Sequence, residues 1–198
     1  MNMLLRSGKN RMKLSALSSL ILLSLAVIAC HGGMNMIMKD TKPALAPKKD
    51  KALLVIIRTT SFGAGYIVSN YLDGKMIGQT QHKAYFITEV KPGKHYLVSQ
   101  ADNKDAVRVN FEAGRIYFLQ QGIYPGWNAT SRFTVMTLDE FKLQLPEAVF
   151  YVLDTQNPGK DMDAKDYKEA IDDFEKESKG DPDRYKSFTG YKGYKSAK

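Results

Sequence analysis

The sequence predicts an all-β fold, an antiparallel β-sandwich of about seven to eight strands over residues 50–154. Three observations predict it. Short apolar or alternating runs recur at regular spacing, each is bounded by Gly or Pro, and no long helical pattern lies between them. The last point argues against a parallel α/β enzyme fold, in which strands alternate with helices.

The runs follow in order. Ala52-Leu53-Leu54-Val55-Ile56-Ile57 is continuous and rich in β-branched residues, as in a central strand buried on both faces. Ser61-Phe62-Gly63-Ala64-Gly65 is a turn; its Gly-x-Gly lacks the third glycine and the helix of a dinucleotide fingerprint. Tyr66–Leu72 and Lys75–Thr80 flank Asp73-Gly74, a two-residue hairpin signal of type I′. Ala84–Val90 is closed by Lys91-Pro92-Gly93-Lys94, where Pro presets φ and Gly takes the left-handed position. His95–Gln100 returns. Ala106–Phe111 alternates, with Val107, Val109 and Phe111 inward, and Glu112-Ala113-Gly114 turns the chain into Arg115–Gly122. After Pro125-Gly126-Trp127-Asn128, Thr130–Met136 is a further strand. Thr137-Leu138-Asp139-Glu140 has the form of a capping box before a short helix, and Pro146 ends or restarts it. Residues 147–153 fit one or two helical turns or a strand equally well.

Outside this domain the chain divides into three parts. Residues 1–29 read as a leader: four basic groups and no acid, then sixteen uncharged residues from Leu14 to Ala29. As a helix those sixteen span about 24 Å, short of a hydrocarbon core of ~30 Å, so a cleavable signal is favoured over an anchor helix. Met12 is an alternative start. Residues 30–49 read as a tether, extended by Pro43 and Pro47. Its Met34, Met36 and Met38 could also pack on the domain or bind a soft metal. Residues 155–198 read as a charged helix and a basic tail. Residues 161–183 hold ten acids and four lysines, while 184–198 hold five basic groups and no acid. Tyr167, Ile171 and Phe174 make one narrow helical stripe, fit for weak docking on the sandwich or for a partner's groove.

The net charge of +8 is concentrated outside the domain, because the leader carries +4 and residues 31–49 carry +3. The high pI therefore does not imply nucleic acid as a partner. One cysteine excludes a disulfide framework and a multi-cysteine zinc site.

Val27-Ile28-Ala29-Cys30 resembles the lipobox of bacterial lipoproteins. That resemblance implies cleavage before Cys30 and acylation of its thiol, with several chains giving a durable anchor. His31 in place of Asp then implies outer-membrane sorting, with the protein facing the periplasm. Within the domain, Val55-Ile56-Ile57-Arg58, Tyr71-Leu72-Asp73-Gly74-Lys75-Met76-Ile77-Gly78, Tyr85-Phe86 with Glu89-Val90-Lys91-Pro92-Gly93-Lys94-His95, and Ala113-Gly114-Arg115-Ile116-Tyr117-Phe118 resemble the bacterial domain of unknown function 2846. The Asp-Gly-Lys and Pro-Gly-Lys-His pieces are also similar to PEGA-type and carboxypeptidase-regulatory-like sandwiches. These motifs are turn chemistry and imply a fold rather than an activity; no catalytic residue or cofactor comes with them.

Three functions remain open at this stage. The first is a non-enzymatic envelope lipoprotein acting as a binding or assembly module at the membrane and cell-wall boundary. Its candidate contact residues are Tyr124 and Trp127, near Tyr117 at one loop end, and the Tyr-Lys pairs Tyr185-Lys186, Tyr191-Lys192 and Tyr194-Lys195. Tyrosine gives a flat apolar face and lysine a point charge, a combination suited to cell-wall polymers or lipid headgroups; a disordered solubilising tail is the alternative. The second is an envelope hydrolase or metal enzyme using His82 and His95 with a carboxylate such as Glu89, although no spacing enforces it. The third is a structural accessory subunit docking through the 163–179 helix. No Gly-x-Ser-x-Gly elbow is present, and Cys30 is committed to the anchor.

Overall fold

In the computed structural model, residues 34–125 and 127–195 are described. The leader and Cys30 lie outside the described residues. β2 (Ala52–Arg58) is buried along its whole length, as its unbroken apolar run demands. It lies near the middle of a seven-stranded sheet. The strand order is β1 (Met36–Lys39), β10 (Val149–Leu153), β5 (Ala84–Val90), β2, β8 (Arg115–Tyr124) and β11 (Tyr194–Lys195), with β9 (Thr130–Val135) also paired to β8. A second sheet of four strands runs β4 (Lys75–Thr80), β3 (Val68–Leu72), β6 (Gly93–Gln100), β7 (Lys104–Phe111). The predicted hairpin at Asp73-Gly74 forms, and both residues take the positive φ that a type I′ turn requires, 49° and 81°.

Two features correct the expected antiparallel sandwich. The described chain has eleven strands rather than seven or eight, and the large sheet is mixed. β2 runs parallel to β8, and β10 runs parallel to β5. The extra strands come from segments read as appendages. β1 lies in the expected tether and pairs antiparallel with β10. There Met36 is buried, Met34 packs beside the core and Met38 stays exposed. Within residues 147–153, which fit helix or strand equally, Glu147 ends a 3-10 turn begun at Leu145 and Val149–Leu153 form β10.

Apolar residues fill both faces of the large sheet. Leu54, Ile56, Phe86, Tyr117 and Leu119 meet Leu97, Val107 and Val109 between the sheets. On the outer face Leu53, Val55, Ile57, Ile116 and Phe118 are covered by α1 (Leu138–Gln144). Phe141 of α1 stacks on Phe118 with ring centroids 4.7 Å apart. The capping box forms as predicted, Thr137 accepting from the Glu140 amide and Glu140 accepting from the Thr137 amide.

The C-terminal region is ordered where a loose basic tail was one reading. α2 (Ala164–Gly180) and α3 (Pro182–Thr189) bury Ala170, Phe174, Tyr185 and Phe188. Charge complementarity orients α2: its acids meet Lys104 through Asp166 and Glu169, and Arg108 through Glu175. Exposed pairs of this kind contribute ~0–1 kcal/mol each, so burial of the apolar stripe carries the docking. Of the two readings of the Tyr167, Ile171 and Phe174 stripe, docking on the sandwich is the one observed: Phe174 is in the core and Ile171 and Tyr167 pack against it.

Arg184 on α3 reaches the buried Asp105 of β7 and also Glu177. Burial pushes Asp105 up from 3.8 to about 6, against the opposing pull of Arg184. The folded state therefore holds a proton that the unfolded state releases between pH 3.8 and about 6. Stability from this group is fully present below pH 3.8 and is lost as pH rises through 6. The expected result is a higher Tm at pH 5 than at pH 7.5, from a difference of at most about 1.4 kcal/mol, since one pH unit of that interval lies below 6 at 1.36 kcal/mol per unit. Asp105→Asn should flatten this dependence. An unchanged difference in Tm between the two pH values in that variant would assign it to other groups.

Candidate functional site

The end of the sandwich where β2 stops carries the most distinctive chemistry. Arg58, the last residue of β2, is fully buried. Among the described residues no carboxylate pairs with it. Its Nη1 donates to the carbonyls of Tyr66 at 2.7 Å and Thr80 at 3.5 Å, and its Nη2 donates to the carbonyl of Gly63. Burial pushes the guanidinium below its ordinary range. A planar fork with five donors spreads over several carbonyls set apart along the loop, a geometry the compact ammonium of lysine does not reproduce. Arg58 thereby fixes the loop from Thr59 to Ile67. Gly63 within it has φ of +69°, and a Cβ there would stand 2.8 Å from Ile123, so glycine is required for both conformation and space. Beside Arg58, Gln121 accepts from the Thr80 hydroxyl and donates to Asn70 Oδ1 at 2.8 Å. All three are buried and hydrogen-bonded to one another, whereas Arg58 Nε and the Thr60 hydroxyl are buried without a partner among the described residues.

Two further loops join the braced one. Asp102 accepts from the Tyr66 hydroxyl and from the Ala129 amide, both at 3.0 Å. Asn103 donates from its amide to the Ala129 carbonyl and from its side chain to Thr130. On this scaffold Phe62, Tyr66, Ile67, Tyr124 and Trp127 are exposed, Trp127 completely. The Arg132 guanidinium lies 5.5 Å from the Tyr124 ring centroid. The result is an aromatic rim at the Arg58 end, carried by the loop after β2 and by the end of β8 with its following loop, both tied to Asp102. It offers apolar faces with polar groups beside them, the makeup of a binding surface.

The other candidates separate. Tyr117 is in the core, its hydroxyl accepting from the Glu112 amide at 2.8 Å. Tyr185 is buried and donates to Glu177, and Tyr191 donates to the Phe118 carbonyl. Burial pushes the Tyr191 hydroxyl well above its usual range. Tyr194 pairs with Ile116 in β11. The tyrosine faces of the tail are thus turned inward, while Lys186, Lys192 and Lys195 remain exposed.

His82 and His95 do not form a pair. His82 sits beyond Thr80 with Nδ1 3.0 Å from the Thr60 carbonyl. His95 Nδ1 lies 2.5 Å from Asp73, in the turn at the opposite end of the β3–β4 hairpin. Five strand residues, roughly 16 Å, separate those ends. Glu89 pairs with Lys48. Among the described residues no three His, Cys, Asp or Glu side chains are placed to hold a metal.

The sequence named Tyr124 and Trp127 but missed Arg58 as a brace and Phe62, Tyr66 and Ile67 as rim. A lone arginine closing an otherwise apolar strand was the available signal.

Residues 48–132 match a family described as protein of unknown function DUF2846. The match spans β2 through the start of β9 and includes Arg58 and the rim, so the resemblance drawn from the turn motifs holds for this region. An uncharacterized protein of Haemophilus influenzae is 26% identical over 123 residues, covering 58% of this chain and 73% of that protein. No solved structure matches.

Proposed function

We propose that this protein is a non-enzymatic binding module of the bacterial cell envelope, lipid-anchored through Cys30 at the periplasmic face of the outer membrane. Its ligand-facing surface is the aromatic rim at the Arg58 end. The observation that carries the reading is the concentration of Phe62, Tyr66, Ile67, Tyr124 and Trp127 on the loop after β2 and the end of β8 with its following loop, both tied to Asp102 and Asn103 and the first also to a buried arginine. A rigid, solvent-facing apolar surface of this kind suits recognition. The lipobox-like ending at Cys30 supplies the address.

Trp127 is the sole tryptophan, so its fluorescence reports this surface alone. With soluble peptidoglycan fragments as probe, the expected result is a saturable change in emission that is lost in Phe62→Ser and Tyr124→Ala, with the fragments recovered uncleaved. An emission spectrum that stays constant through the titration would remove cell-wall glycan as the ligand. Cleaved fragments would overturn the non-enzymatic reading.

A further inference from the structure

The opposite end of the sandwich, where β2 begins at Ala52, is strongly basic. Strand register places its charges together. Ala52 pairs with Val90, and Arg115, one residue before the β2 partner Ile116, pairs with Lys195. Lys51 precedes Ala52, Lys91 follows Val90, and Lys94 is the second residue of β6. The neighbouring Glu112–Gly114 turn is tied to the strap before β2 by the Gly114 amide, which donates to the Lys51 carbonyl at 2.7 Å.

Lys48, Lys49 and Lys192 complete the cluster, giving eight basic groups against Asp50, Glu89 and Glu112. Glu89 is taken by Lys48, and Glu112 by Arg115 and Lys192. Among the described residues, Lys49, Lys91, Lys94 and Lys195 are exposed and have no ion-pair partner. Of the neighbouring carboxylates, Asp161 pairs with Lys75, Asp73 lies against His95, and Asp154 and Asp163 accept from backbone amides.

The described chain also begins towards this end. One row of paired residues crosses the large sheet through Lys39, Phe150, Tyr85, Ile57 and Gln120. From that row the chain reaches Asn35 four residues towards the Ala52 end, whereas β8 reaches Tyr124 four residues the other way. Asn35 is held at the sheet edge, its amide donating to the Gln79 side chain and its carbonyl accepting from the Asp154 amide. The four residues from Met34 back to Cys30 can span at most about 14 Å.

We propose that the basic Ala52 end is a seat for anionic lipid headgroups, which sets the domain upright on the membrane with the aromatic rim facing away from it. The proposal rests on the anchor at Cys30. A short link keeps the free lysines near the surface, where the potential of anionic lipid acts within a Debye length of ~8 Å. Electrostatic seating adds a second membrane signal to the acyl chains.

The test uses the full lipidated protein in phosphatidylethanolamine vesicles with and without phosphatidylglycerol. Once Cys30 is acylated, an introduced cysteine is the only free thiol. Ala113→Cys marks the basic end and Trp127→Cys the rim, each labelled with a fluorophore and quenched by headgroup-spin-labelled lipid. With phosphatidylglycerol, quenching at position 113 is expected to exceed that at 127 several-fold. It should fall to the level of 127 in about 0.5 M salt, or when Lys49, Lys91 and Lys94 are all replaced by Glu. Equal quenching at the two positions, or no dependence on phosphatidylglycerol, would overturn the seat while leaving the anchor intact. A protein mass without acyl chains, together with failure to sediment with either vesicle, would show that the anchor itself is wrong and remove the seat with it.

Discussion

Replacing Arg58 with methionine is expected to lower stability by about 3 kcal/mol and to release the rim. The guanidinium is buried and its contacts are all main-chain carbonyls, those of Gly63, Tyr66 and Thr80. Each carbonyl left without a donor costs ~1–3 kcal/mol, and the gain from no longer burying a charge offsets part of the sum. For a domain of this size the Tm should fall by about 6–12 °C. Arg58→Lys tests the geometry separately. A single ammonium keeps the charge but cannot reproduce the planar fork across these carbonyls, so most of the loss should persist. The tie from Tyr66 to Asp102 depends on the same loop, so ligand-induced changes in Trp127 emission should weaken in both variants. An Arg58→Met protein melting within 2 °C of the parent would mean that the arginine does not brace the loops.

What the sequence made legible follows from which interactions are local. The Asp73-Gly74 hairpin, the Pro92-Gly93 turn and the Thr137 capping box are decided within a few residues, and each appears at its expected place. The parallel pairing of β2 with β8 joins segments about sixty residues apart with no turn between them to mark it. Every visible turn signal specified an antiparallel neighbour, so the mixed sheet could not be read. β1 was hidden because four residues beside two prolines resemble a tether, and only β10 gives them an edge to pair with. The site divides in the same way. Tyr124 and Trp127 were visible as aromatics in a turn, whereas Phe62 and Tyr66 join them only through Asp102, Ile123 and the carbonyl contacts of Arg58. The Tyr-Lys repeats invited a binding role because their spacing says nothing about Phe118 and Glu177, the groups that receive the tyrosine hydroxyls.

Phe174→Ala is expected to destabilise the whole domain by about 3–4 kcal/mol, the usual range for emptying a buried aromatic site. Phe174 is a keystone between layers. Its ring meets Tyr96 of β6 edge-on at 5.7 Å and Tyr185 of α3 at 5.1 Å, and Arg108 of β7 lies over it at 5.6 Å. Beyond it the chain carries Arg184 to Asp105 and Tyr191 to the backbone of β8, so loosening α2 loosens everything that follows. This separates two roles for the helix. A helix that serves an outside partner would lose that partner on substitution while the isolated protein kept its Tm. A helix that completes the fold would lower Tm and open the α2–α3 junction to proteases at Lys179 and Arg184. Ile171 is only partly buried, so Ile171→Ser should cost less than half as much as Phe174→Ala. If Phe174→Ala left Tm within 2 °C of the parent and α3 still protected, α2 would be a docking element after all, and its seat on β6 and β7 would be a resting position rather than part of the core.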